Sequence, residues 1–207
     1  MKLVDVPVIF ICPDHDEKYH ARKEHMVELL TKMGFQSITH HKSGTESYPT
    51  CLVKATIDIL KEHLDDDAFI LLEDDVETFD VETVVHSEID LEMPDNTDAF
   101  YLGFSKSGGH KSINSHDGWS QIEKISDKHI RILNMLSAHA ILYKSKAYKT
   151  RVVDELEKVI QTPYYNDVVL ARLHPEYNIY GYHYPLFYQS VTWGNPQHTQ
   201  DFTKFRF

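Results

Sequence analysis

Apolar and polar positions along the chain fall into blocks of two lengths. Val6-Pro7-Val8-Ile9-Phe10-Ile11-Cys12 is a nearly continuous apolar run closed by Pro13-Asp14, the pattern of a strand buried on both faces. Ala21, Met26, Leu29, Leu30 and Met33 then recur at helical spacing among Lys, Arg and Glu, and Gly34 stands where a helix stops. Residues 35–40 read as a second strand and Ser43-Gly44-Thr45-Glu46-Ser47 as a loop. Pro49 opens a second helix, with Leu52, Thr56, Ile59, Leu60 and Leu64 as its inner face. A further apolar run, residues 68–72, leads straight into Glu73-Asp74-Asp75. This β-α-β-α-β order predicts an α/β fold: a doubly wound mixed sheet, mainly parallel, with helices on both faces.

The second half is less periodic. Residues 99–104 predict a strand, and the Ser, Gly, Lys and His of residues 105–118 predict an exposed loop, read as a mobile flap over a ligand site. Residues 119–125 and 130–143 predict further strands, paired as a hairpin. Val152, Val153, Leu156, Val159 and Ile160 mark an amphipathic helix, residues 164–173 a shorter one, and aromatics crowd residues 177–207. With no repeat or linker, residues 1–207 are read as a single domain.

Composition narrows the function. A formal net charge of −11 argues against a nucleic acid as the main partner. Two cysteines, Cys12 and Cys51, argue for a reducing compartment, and no window reaches the roughly 18–20 apolar residues of a membrane span. The expectation is a soluble, cytoplasmic protein. The 14 histidines are mostly scattered beside charged residues and read as ordinary surface histidines.

The acidic triplet carries the chemistry. Three carboxylates at the end of a buried strand repel one another and resist desolvation unless a cation neutralises them. Oxygen ligands suit Mn²⁺ or Mg²⁺, which commonly keep positions for water and substrate phosphates. Residues two apart point the same way, so Glu73 and Asp75 can share a site while Asp74 faces elsewhere. A solvated acidic turn is the competing reading. The triplet nevertheless sits at a strand's carboxyl end, where doubly wound sheets bind ligands.

Ile70-Leu71-Leu72-Glu73-Asp74-Asp75-Val76-Glu77 resembles the DXD-type segment of GT-A glycosyltransferases, most closely the form in the lipooligosaccharide and collagen galactosyltransferase family. Arg22, Pro49-Thr50-Cys51-Leu52, Phe100-Tyr101-Leu102-Gly103, Ala138-His139-Ala140-Ile141-Leu142-Tyr143, Asn166-Asp167-Val168-Val169-Leu170 and Tyr184-Pro185-Leu186-Phe187-Tyr188-Gln189-Ser190 fall in that family's order. Within it the chain is especially similar to small glycosyltransferase domains encoded by chlorella viruses, whose setting would be the host cytoplasm. It departs from the family at Cys12-Pro13-Asp14-His15 and near Val53-Lys54, so donor identity does not carry over.

The resemblance implies transfer of a sugar from a nucleoside diphosphate donor to a hydroxyl of a glycan or glycoprotein acceptor; the preferred expectation is a hexosyltransferase using a UDP-sugar by direct inverting displacement. It implies Asp75 as a metal ligand, and Glu73 as a ligand of the metal or of the ribose. His198 is the further metal ligand expected, with His183 next. Pro13 and Asp14 are placed beside the nucleotide, Asp74 and His139 at the nucleotide sugar, and Arg22 or Lys54 at the base or phosphates, or simply at the surface. Asp167 is the expected base, or else a helix N-terminal acid stabilised by the dipole, with Asp117 the next acid to consider. Two other classes share some of these features: a sugar nucleotidyltransferase, for which a Gly-rich basic loop after the first strand is missing, and a non-catalytic sugar-binding module using the aromatic tail.

Overall fold

The structure, a computed structural model, describes residues 1–78, 89–109, 118–162 and 164–194. Strand β1 (Val8–Cys12) is buried throughout, as its apolar run requires. Helix α1 (Glu17–Met33) starts on Asp16, whose carboxylate accepts from the Lys18 and Tyr19 amides, and stops at Gly34, where φ is +93°. That left-handed turn is open to glycine without a Cβ clash, and the Gly34 amide closes onto Leu30 and Thr31 carbonyls. Then come β2 (Ile38–Lys42), α2 (Thr50–Glu62) and β3 (Phe69–Glu73). β2 begins three residues later than the sequence indicates, Phe35 being spent on closing α1 against the core.

A short strand β4 (Val76–Thr78) follows the acids, and β5 (Ala99–Tyr101) re-enters the sheet. β6 (Ser107–Gly108) pairs with β7 (Gly118–Trp119). The expected exposed loop is therefore wrong at its start, since Ser105 and Ser107 are buried, and residues 110–117 lie outside the described ones. β8 (Gln121–Lys124) and β9 (His129–Asn134) form a hairpin. The predicted strand 130–143 splits there: residues 135–139 leave the hairpin and β10 (Ala140–Tyr143) pairs elsewhere. Helices α3 (Lys146–Val159) and α4 (Asn166–Leu173), then β11 (Ile179–Tyr182) and β12 (Phe187–Gln189), complete the chain.

Eight strands form one sheet in the order β2-β1-β3-β10-β5-β11-β9-β8. Pairing directions set β10 and β9 against the other strands, so the sheet is mixed and mostly runs one way. Side chains alternate across it. Ile9, Ile11 and Leu71 meet α2, α3 and α4 on one face through Ile57, Leu60, Val152, Leu156 and Leu170. Val8, Phe10 and Leu72 meet Met26, Leu30 and Met33 of α1 on the other. Ala21, expected on the inner face of α1, is exposed. No helix among the described residues is long and apolar enough to cross a membrane.

Candidate active site

From β1 the chain leaves through α1 to β2 on one side and returns through α2 to β3 on the other, so the direction of winding switches between β1 and β3. Crevices open at such points beyond the carboxyl ends of the strands. A cavity of about 540 Å³ lies there. Pro13, His15, Tyr19 and Arg22 line it from β1 and α1, and Ser43, Glu46 and Tyr48 from the loop after β2. Glu73, Asp74 and Asp75 form part of its wall. The rest of the wall comes from Ser137 and His139 ahead of β10, Tyr165, Asn166 and Asp167 at the start of α4, Gln189 at the end of β12 and Gly194 beyond it.

Glu73 ends β3, and Asp74 and Asp75 make the turn into β4. Asp74 turns away from its neighbours, accepting from Arg22 Nη1 at 3.0 Å and from the Cys12 thiol at 3.3 Å. Asp75 is reached by the end of β12 and the residue after it: the Ser190 amide donates to its carbonyl at 2.7 Å and Gln189 Nε2 to its Oδ2 at 3.4 Å. Its Oδ1 is buried and has no hydrogen-bond partner among the described residues. Burial, followed by the charges of Asp75, Asp167 and Asp74, pushes the Glu73 carboxyl well above its ordinary value. Burial and then Asp74 raise Asp75 to about 6, although Arg22 and the Gln189 hydrogen bond pull the other way.

This is a set of acids held in a state that favours a proton or a cation. Among the described residues no three His, Cys, Asp or Glu side chains form a ready metal cage. The donor set fits the looser kind of site instead, in which one or two carboxylates hold Mn²⁺ or Mg²⁺ and phosphates supply the remaining oxygens. Asp75, with its unpartnered buried oxygen, and Glu73 are the residues that would hold it.

The other expected residues divide. Pro13, Arg22, His139 and Asp167 line the cavity. Asp14 does not: its carboxylate turns to His20 at 2.9 Å and to Lys23 and Lys42 at 3.9 Å, and although desolvation pushes it up, the neighbouring positive charge led by Lys23 and Lys42 holds it below its ordinary value. Lys54 is also outside, paired with Glu46 across the rim. His183 lies against the Lys128 carbonyl and not at the cavity. His198 and Asp117 fall outside the described residues.

His139 is fully enclosed and kept neutral, its value lowered to about 4 by burial against a smaller opposing influence of the Phe187 backbone. Its Nδ1 lies 3.2 Å from Ser137 Oγ. Its Nε2 packs where a Gly103 Cβ would come within 2.1 Å, so the glycine of Tyr101-Leu102-Gly103 exists to admit the ring.

No protein-family model and no curated protein matches the chain. Among solved structures it is similar to the crystal structure of a glycosyltransferase involved in the glycosylation of the major capsid of PBCV-1. The likeness spans 95% of this chain and 92% of that one, with a TM-score of 0.51 and 13% sequence identity. The architecture is shared with a solved glycosyltransferase. The mixed α/β arrangement expected of a GT-A-type chain is therefore the one it has.

Tyr19, Tyr48, Tyr165, Asn166 and Gln189 line the cavity without having been singled out. Gln189 stands in a segment whose likeness to the family is one of order, and Asn166 directly precedes Asp167. A buried amide opening an apolar helical turn was the available signal, because such a group needs a partner. Nothing in the sequence distinguishes Tyr48 or Tyr165 from the other tyrosines.

Proposed function

We propose that the chain is a metal-dependent glycosyltransferase that moves a hexose from a UDP-sugar to a hydroxyl of a glycan acceptor with inversion. The observation that carries this reading is the desolvated Glu73-Asp75 pair, with Asp75 Oδ1 unpartnered among the described residues, in a cavity that also holds Asp167. Such a pair is stabilised by a divalent cation. A bound Mn²⁺ or Mg²⁺ supplies charge stabilisation for the departing nucleoside diphosphate.

The chain's own residues do the rest. Arg22, held by Asp74, keeps Asp74 from competing for the cation and adds positive charge at the cavity wall. Pro13 and Tyr19 border the nucleotide, and the neutral His139 with Ser137 shapes the wall on the sugar side. Asp167, which lines the same cavity and is close enough to Glu73 for its charge to act there, takes the proton of the acceptor hydroxyl as it attacks.

Calorimetric titration of UDP with and without Mn²⁺ tests the reading. UDP binding should require the cation, and Asp75→Ala should abolish that requirement together with most of the affinity. Equal UDP affinity in folded parent and variant would remove the metal role.

A further inference from the structure

At the mouth of the same cavity the start of α4 and the loop before α2 hold a group of residues that the transfer chemistry leaves unused. Asn166 is 4% exposed, and its Nδ2 donates to Thr56 Oγ1 at 2.7 Å. The Thr56 hydroxyl spends its own proton on the Leu52 carbonyl at 2.9 Å, so towards Asn166 it acts only as an acceptor. The amide orientation is thereby fixed with Oδ1 on the other side. Asn166 is a cavity residue, and that Oδ1 is buried without a hydrogen-bond partner among the described residues.

Buried acceptors are normally satisfied, and leaving one empty costs free energy. A fold that locks the amide so that its oxygen has no partner is built for a donor from outside. Beside it Tyr165, 38% exposed, and Tyr48, 65% exposed, meet with ring centroids 5.5 Å apart at 52°. Both line the cavity, and Tyr48 is close enough to Glu73 and Asp167 for their charges to act on its phenol.

We propose that Tyr48, Tyr165 and Asn166 form a subsite for a pyranose ring, the rings covering its C–H face and Asn166 Oδ1 accepting from one of its hydroxyls. The chemistry matches part for part: a pyranose has an apolar face of C–H bonds and a rim of hydroxyl donors, and this wall has two exposed aromatic faces and one orphaned acceptor. Rejection of sugars lacking that hydroxyl follows, because the amide oxygen would then stay unpaired. The subsite deepens the glycosyltransferase reading, and it serves either the hexose of the donor or the terminal sugar of the acceptor.

Two arms separate these sources. In the donor arm, calorimetry compares UDP with UDP-glucose and UDP-galactose in Mn²⁺. In the acceptor arm, saturation-transfer NMR follows methyl α- and β-pyranosides of glucose, galactose and mannose, with and without UDP and Mn²⁺. In the parent at least one arm should show pyranose binding. Asn166→Leu, Thr56→Val and Tyr165→Ala should each weaken it by roughly tenfold, while the UDP dissociation constant stays within about threefold.

Melting curves confirm folding, and Tyr165→Ala, at a partly exposed position, keeps the test open if Asn166→Leu does not fold. A loss confined to the donor arm places the donor hexose here, and one confined to the acceptor arm places the acceptor sugar. An equal loss of UDP affinity in Tyr165→Ala would mean that the rings stack on the nucleobase, which overturns the proposal. So would pyranose binding indifferent to all three variants, or its absence from both arms. If UDP itself fails to bind in Mn²⁺ the transferase reading falls, and the pyranosides tested alone still decide the subsite.

Discussion

At the scale of single residues the site is a stability cost kept for function. Asp75 titrates at about 6 in the fold against 3.8 as its ordinary value, so the folded chain holds that proton over a range where the unfolded chain has released it. Stability from this group is full below pH 3.8 and is lost as pH rises through about 6. Asp75→Asn keeps the acceptor for Gln189 and removes the charge. Without divalent cations it should raise stability at pH 7 by on the order of 1–3 kcal/mol, and the gain should vanish near pH 4. Urea unfolding of parent and variant at the two pH values checks it, and a variant less stable at pH 7 would contradict the burial argument. The carboxylates themselves were legible in the sequence because the apolar run ends on them. Which Asp75 oxygen has no partner among the described residues depends on Gln189, and which acid is taken out of the pair depends on Arg22, both far away in sequence, and no local pattern shows that.

At the scale of elements, α4 is the part that must be held in place. Its first turn carries Asp167 and is pinned to α2 by Asn166, while its end is fixed by His174, whose Nε2 meets Tyr101 Oη at 2.7 Å inside the core. Burial alone lowers His174 to about 3, so the ring is neutral and the bond to Tyr101 joins two uncharged groups. Tyr101→Phe leaves a ring nitrogen unsatisfied and should cost about 1–3 kcal/mol in unfolding free energy. Asp167→Asn keeps the shape and should leave UDP affinity within a few-fold while cutting transfer by roughly 10²- to 10⁴-fold. Turnover near the parent level at an unchanged melting temperature would return Asp167 to the status of a helix-start acid. Helices and buried strands were readable from period and run length. The split of residues 130–143 was not: Met135 to His139 include three apolar residues, so nothing in the run itself marks where the chain leaves β9 for its place between β3 and β5.

At the scale of the molecule, one sheet covered on both faces brings together groups from the two halves of the chain at a single switch point. The chain order could place the acids at a strand's carboxyl end, because β-α-β units leave few topologies to choose from. It set Asp14 beside the nucleotide and Lys54 at the base or phosphates or at the surface, but proximity in sequence to a lining residue says nothing of where a charged side chain finds its partner: Asp14 turns to His20, Lys23 and Lys42, and Lys54 to Glu46.

That contrast allows a test of the whole arrangement. A ligand that binds only the folded state adds about 2.7 kcal/mol at a hundred times its dissociation constant. For a chain of this size each kcal/mol moves the melting temperature by about 2–4 °C, so UDP with Mn²⁺ at that excess should raise it by roughly 5–10 °C. Glu73→Gln should lose most of the shift, because its carboxylate faces the cavity among the acids that attract the cation. Lys54→Ala should keep it in full, its partner being Glu46 and its place outside the cavity. A shift that survived Glu73→Gln but disappeared with Lys54→Ala would move the nucleotide away from the β1-β3 switch point and towards the first turns of α2.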